Sequence, residues 1–374
     1  MPNPNAIVSL VARVEPALEG VTAEELLRQH PEGVRIEFEG ADAVVLLPSP
    51  TAAARLEILE QLRQLHTPAY VEINPDTRAI DQLLIPLVSN VTATKDAEGG
   101  VDVELESSHA RHFLARDHPD FSAIEALLNR AAGKGIAVAA TETDTHQIID
   151  LREWAHDVPG GPKRGGGLAP GPLARRFNPL MLWFWRWWRL RWRIRCPGSV
   201  SVARAQQLFD LAATKTCDPL AVPAPCIPFL YPDDGCWARA HEMCRLMEID
   251  GAQPKKVWID GNLHTLTKNH PACFVNWGWH VAPTVCVRRR WWSSEDMVLD
   301  PALFTTPVSL TTWKAAQGDT AATLAPSAAS LYWRVVMPSD PSYVDTNYRL
   351  TYYRLQLKNR SLQPAGPPPY AFCP

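Results

Sequence analysis

The chain has 374 residues, 46% of them hydrophobic and 21% charged, with 34 Pro and 14 Trp. That length predicts two or three domains, and that composition can bury a core rather than stay disordered. A net charge of −3 argues against a general nucleic-acid binder. No apolar run is long enough for a spanning helix, and no basic-then-apolar N-terminal segment marks a standard secretory signal.

The net charge hides an asymmetry. Residues 1–155 hold 25 acidic and 12 basic side chains, a balance of −13; the remainder hold 15 and 25, a balance of +10. Two readings stay open: halves that attract each other, or two domains of unrelated composition. All eight cysteines lie at Cys196 or later. In an oxidising compartment this predicts a stapled C-terminal domain. Cys217, Cys226, Cys236 and Cys244 contain no C-x-x-C pair, so zinc explains them poorly.

The N-terminal half reads as two copies of one small α+β unit. The period-2 run Val34, Ile36, Phe38 matches Val101, Val103, Leu105, and the helical run Leu56–Leu65 matches Ile124–Ala132. Asp120 or Ser122 is placed to cap the second helix, and Gly133 or Gly135 to end it. His109, His112, His118 and His146 gather into no evident catalytic set and read as surface residues. Residues 156–180 are rich in Pro and Gly and read as a linker. Five Trp and five Arg follow between Leu182 and Arg195. That segment suits docking on the protein by Arg–indole stacking, proteolytic processing, or, less readily, contact with a membrane surface.

The C-terminal half carries the chemistry. The turn Tyr231-Pro232-Asp233-Asp234-Gly235 precedes Cys236, and Trp237–Met247 reads as a helix. Cys236 therefore sits at a helix N-terminus, where the dipole and free N–H groups favour a thiolate. The alternative is a structural cysteine. His241-Glu242 begins an H-E-x-x-H motif that fails at Arg245, so His241 reads as a packing residue. Phe274–Val285 reads as a strand containing His280, and Met297–Phe304 as the next, turning at Asp300-Pro301. Antiparallel pairing would put Asp300 beside His280 and leave the other face of the imidazole for Cys236. Trp237, Trp258, Trp277 and Trp279 read as core or as walls of a cleft.

The segments Pro225-Cys226-Ile227, Tyr231-Pro232, Asp234-Gly235-Cys236, Ala238-Arg239-Ala240-His241, Gly261-Asn262-Leu263, His280-Val281-Ala282 and Asp300-Pro301 run in an order that resembles the bacterial protein glutaminases. The resemblance implies deamidation of protein-bound glutamine to glutamate and ammonia, with Cys236 as nucleophile, His280 as general base and acid, and Asp300 as orienting carboxylate. It implies an α+β architecture: a papain/transglutaminase-like catalytic domain, its Cys on a helix and its His and Asp on an antiparallel sheet, preceded by the duplicated α+β region. Expected boundaries are 1–90 and 91–155 for the two units, 156–198 for the linker and 199–374 for the catalytic domain. The second unit also resembles the family's pro-region, which implies an intramolecular N-terminal domain over the cleft. No metal or organic cofactor is implied. The partners implied are proteins with exposed glutamine, and no nucleic acid. Cys217 and Cys226 match cysteines of the family, which implies a disulfide and export. Seven cysteines besides Cys236 leave at least one free or paired between chains. The same three residues would also serve a transglutaminase, a cysteine peptidase or a toxin-like deamidase with one dedicated target. A structural Cys236 would leave a binding module.

Overall fold

The computed structural model describes residues 3–157, 198–222, 224–290, 293–334 and 337–374. The Trp/Arg segment and Cys196 lie outside the described residues. The N-terminal half begins with β1 (Ala6–Ser9), β2 (Val11–Glu15), α1 (Ala23–Gln29), β3 (Val34–Phe38), β4 (Val44–Leu46), α2 (Ala52–Gln64), β5 (Ala69–Ile73) and β6 (Ile80–Leu84). It continues with β7 (Leu87–Ala97), β8 (Gly100–Leu105), β9 (His112–Ala115), α3 (Phe121–Lys134), β10 (Ala137–Glu142) and β11 (Ile148–Glu153).

The pairings follow one scheme twice. In the first unit β1-β5-β6 and β2-β3-β4 form two three-stranded sheets. In the second, the single long strand β7 pairs with both β10 and β8, joining the sheet β11-β10-β7-β8-β9. Alternation dictates the faces: Val34, Ile36 and Phe38 are buried, as are Val101, Val103 and Leu105. Leu56, Leu59 and Leu62 of α2, and Ile124, Leu128 and Ala131 of α3, cover these faces at helical spacing. Asp120 is the N-cap residue of α3, and Gly135 ends it at φ +62, where a residue without Cβ is unstrained. Gly133 lies within the helix.

The C-terminal half comprises β12 (Val200–Ser201), α4 (Val202–Ala213), α5 (Cys236–Ile249), β13 (Lys255–Leu266), β14 (Phe274–Arg290), β15 (Ser293–Val298), β16 (Val308–Ser309), α6 (Leu310–Ala316), β17 (Thr323–Ala328) and α7 (Val344–Ser361). An antiparallel sheet of order β16-β15-β14-β13-β17 forms its centre, and α5 packs on β14. Disulfides join Cys217 to Cys226 and Cys273 to Cys373. Cys286 is also disulfide-bonded, while Cys244 is a free, buried thiol beside the free Cys236. No described helix is long and apolar enough to cross a membrane.

α7 joins the halves. Its Asn359 side chain donates to Leu83 O at 3.0 Å and Gln356 to Ile85 O at 2.9 Å. Lys358 pairs with Glu57, and Arg360 donates to Asp144 at 2.8 Å. These ion pairs set cations of the basic half against carboxylates of the acidic half.

Candidate active site

The site is assembled from the N-terminus of α5 and two neighbouring strands. Gly235 precedes Cys236 at φ +77, a conformation that an L side chain resists. A Cβ there would also lie 2.3 Å from the ring of Tyr353. This turn places Cys236 as the first residue of the helix, buried to 1% exposure. Arg239, one turn on, donates to Tyr231 O at 2.9 Å and also to Asp234 O, tying the turn to the helix.

His280 lies on β14 opposite Ile259 of β13. β15 pairs with β14 through Thr284↔Val298, and Leu299 N donates to Pro283 O. That register brings Asp300 Oδ2 to 2.9 Å from His280 Nε2. β15 spans Ser293–Val298 and so ends two residues before the expected end at Asp300-Pro301. Pro301 has no N–H for a ladder, and Leu303 and Phe304 N–H turn back onto Asp300 O.

The imidazole of His280 is stacked on Trp277 at 4.5 Å between centroids and on Trp313 at 5.6 Å. Trp313 also donates its indole N–H to Asp300 Oδ2 at 2.9 Å. His280 Nδ1 is buried without a hydrogen-bond partner. Burial alone would raise the Asp300 pKa, but His280 and the Trp313 N–H outweigh it and hold the carboxyl lower. Burial pushes the Cys236 thiol up, against the pull of Arg239 and the Val281 backbone N–H. The thiol is therefore held protonated in this closed form, the opposite of what a helix N-terminus by itself favours.

The cause of that burial comes from the other half of the chain. His109, between β8 and β9, reaches into the site with its Nδ1 2.6 Å from Asp234 Oδ1 and 3.7 Å from Cys236 Sγ. Its backbone is held as well: His109 N donates to Asp234 Oδ1 at 3.2 Å, and Gly278 N donates to His109 O at 3.0 Å. Ala110 and Trp277 form one isolated antiparallel bridge, so the loop Ser108–Arg111 touches β14. Burial lowers the His109 pKa to about 4 despite Asp234, leaving the ring neutral.

The surface assignment of the four N-terminal histidines is thus corrected. His109 and His112 are buried, and His118 and His146 half-buried. His112 Nδ1 and His146 Nδ1 lie 2.5 and 3.0 Å from the two oxygens of Glu142. Trp237, Trp258 and Trp277 are core residues; Trp279 is half-buried and packs between Trp237 and Trp258. His241 packs in α5, with Nδ1 3.1 Å from the Lys256 amine.

Sequence reasoning missed two residues at the site, His109 and the hydrogen-bonding role of Trp313. His109 carries no local signal, because its partners lie more than 120 positions away. A thiol, a carboxylate-held imidazole and a helix N-terminus together can perform nucleophilic acyl transfer.

Comparison with known proteins agrees with that class. Residues 205–317 match the model of a family described as glutaminase. A crystal structure of a protein-glutaminase is 30% identical, covering 47% of this chain and 98% of that one, with a TM-score of 0.38. The protein-glutaminase of Chryseobacterium proteolyticum is 28% identical over 47% and 97%, with the same score. A pro-protein-glutaminase crystal structure is 21% identical, covering 78% of this chain and 99% of that one, with a TM-score of 0.49. No curated protein sequence matches. Over residues 205–317 the chain is thus similar to the glutaminase family.

Proposed function

We propose that the chain deamidates glutamine side chains within proteins, using Cys236, His280 and Asp300, and that residues 1–155 keep the site closed until the linker is cut. The observation that carries the reading is the 2.9 Å His280 Nε2–Asp300 contact, which leaves His280 Nδ1 bare on the Cys236 side.

In this reading the Cys236 thiolate attacks the carboxamide carbon while His280 holds the thiol proton. His280 gives that proton to the departing nitrogen, ammonia leaves, and a thioester remains. Water, deprotonated by His280, adds to the thioester; glutamate forms and the thiol is restored. Asp300 fixes the imidazole tautomer and steadies its charged form, as an orienting carboxylate does elsewhere. Trp313 in turn fixes Asp300. Trp279 and Trp333 edge a cavity of about 600 Å³ lined otherwise by Gly278 and by residues of the segment 92–112, so loss of the N-terminal half would uncover both rings.

The helix-borne thiol beside an antiparallel sheet supports a papain/transglutaminase-like catalytic domain over residues 199–374. The repeated pairing scheme supports two copies of one unit over 1–90 and 91–155, with 156–198 as linker. Disulfides support an oxidising, exported setting.

The test is product analysis on a glutamine-rich protein with the chain cut in its linker. Ammonia release with amide-to-acid conversion at glutamine, lost in Cys236→Ala, is expected. Cross-linked lysine or a cleaved main chain would instead assign a transglutaminase or a peptidase.

A further inference from the structure

Three buried donors converge where the two halves meet. Cys236 Sγ, one nitrogen of His280 and one of His109 lie within 4.8 Å of one another. Each imidazole has one nitrogen on a carboxylate: His280 Nε2 on Asp300 at 2.9 Å, and His109 Nδ1 on Asp234 at 2.6 Å. The opposite nitrogens, His280 Nδ1 and His109 Nε2, are both buried without a hydrogen-bond partner. Buried polar atoms without partners are uncommon and costly, and each calls for an explanation.

The Asp300 carboxylate behind His280 is the usual outer shell of a metal-bound imidazole. One thiol and two imidazoles form a donor set that suits zinc and similar borderline divalent ions. Ligand–ligand edges around a tetrahedral zinc are about 3.3–3.7 Å, so closing on an ion asks for side-chain shifts of about 1 Å. The separation of Cys236 Sγ from His109 Nδ1, 3.7 Å, is already close to that range, so Nδ1 is the His109 nitrogen that would face the ion, exchanging its contact with Asp234 for the metal. Water or Asp234 would complete the shell.

We propose that the uncut chain binds one zinc-class divalent ion between His109 of the N-terminal half and Cys236 and His280 of the C-terminal half. The ion clamps the precursor shut. Binding releases the thiol proton to solvent and involves no redox step. Cutting the linker and losing the N-terminal half removes one ligand, so the ion is then held far more weakly and the thiol is freed. This regulation rests on the reading of Cys236 as the reactive thiol.

The test uses the full chain, stripped with chelator and loaded with cobalt(II) as a spectroscopic stand-in for zinc. A near-ultraviolet thiolate-to-cobalt band at one ion per chain is expected in the wild type. His109→Gln should bind zinc more weakly by about 100-fold or more. Zinc should also protect Cys236 of the wild-type chain from alkylation, a readout that stands even if the variant folds poorly. Absence of the thiolate band overturns the proposal, including the case where ions bind only at His112, Glu142 and His146, which offer no sulfur. Equal zinc affinity in a folded His109→Gln chain overturns it too. A thiolate band in the uncut chain, with no ammonia released even after the linker is cut and the ion is stripped, would retain the clamp and reject the glutaminase reading, so the two fail separately.

Discussion

At the scale of single residues, the site depends on positions that touch no substrate. Trp313 holds Asp300 through one N–H and stacks on His280 with its ring. Trp313→Phe keeps a ring and removes the donor. A hydrogen bond to a charged group contributes about 1.5–3 kcal/mol, so kcat of the cut enzyme should fall about 10- to 100-fold with KM nearly unchanged. Unaltered kcat would show that Asp300 needs no such support. Gly235 is a stricter case. Gly235→Ala places a Cβ against Tyr353 in a backbone conformation reserved for glycine. It should cost about 2–4 kcal/mol of stability, read as a fall in urea midpoint at constant m-value.

At the scale of elements, the loop Ser108–Arg111 is the part that does the closing in the proposed function. Its grip lies in the two His109 contacts to Asp234 and in the bond from Gly278. His109→Gly removes the ring from above the thiol. With chelator present, iodoacetamide should then modify Cys236 of the uncut chain at least about ten times faster, because burial no longer pushes the thiol pKa up. An unchanged rate would mean that other contacts shield the sulfur. Elements with local causes were legible in the sequence. The Pro-Asp-Asp-Gly turn marks the start of α5, period-2 runs mark β3 and β8, and the run Phe274–Val285 marks β14. The meeting of His280 and Asp300 follows from pairing two adjacent strands. His109 was not legible. Its burial comes from a half of the chain that folds separately in sequence, and no spacing rule links it to Asp234. The early end of β15 depended on a tertiary turn, although Pro301 hinted at it.

At the scale of the whole molecule, Arg360 ties the halves together. It makes two 2.8 Å bonds to buried Asp233 beside the catalytic turn, and one to Asp144 of the N-terminal half. The two carboxylates differ in burial and so in consequence. Arg360→Met leaves the buried Asp233 carboxylate with His270 Nε2 at 3.1 Å in place of its bidentate partner, which should destabilise the chain by about 3 kcal/mol. Asp144 is partly exposed, so Asp144→Asn should weaken closure alone by about 1 kcal/mol or less. Global unfolding should therefore respond to the first substitution, while Cys236 alkylation in the uncut chain responds slightly to the second. Equal effects of the two on unfolding would contradict this division.

The molecule is, in the proposed function, a thiol glutaminase held shut by its own N-terminal half. The most direct measurement is ammonia release from a glutamine-rich protein by the full chain, before and after one cut within residues 158–197, with Cys236→Ala alongside. Little release before the cut, strong release after it and none from the variant is the predicted result. Equal release before and after would contradict closure by residues 1–155, and release that survives Cys236→Ala would contradict the thiol mechanism itself.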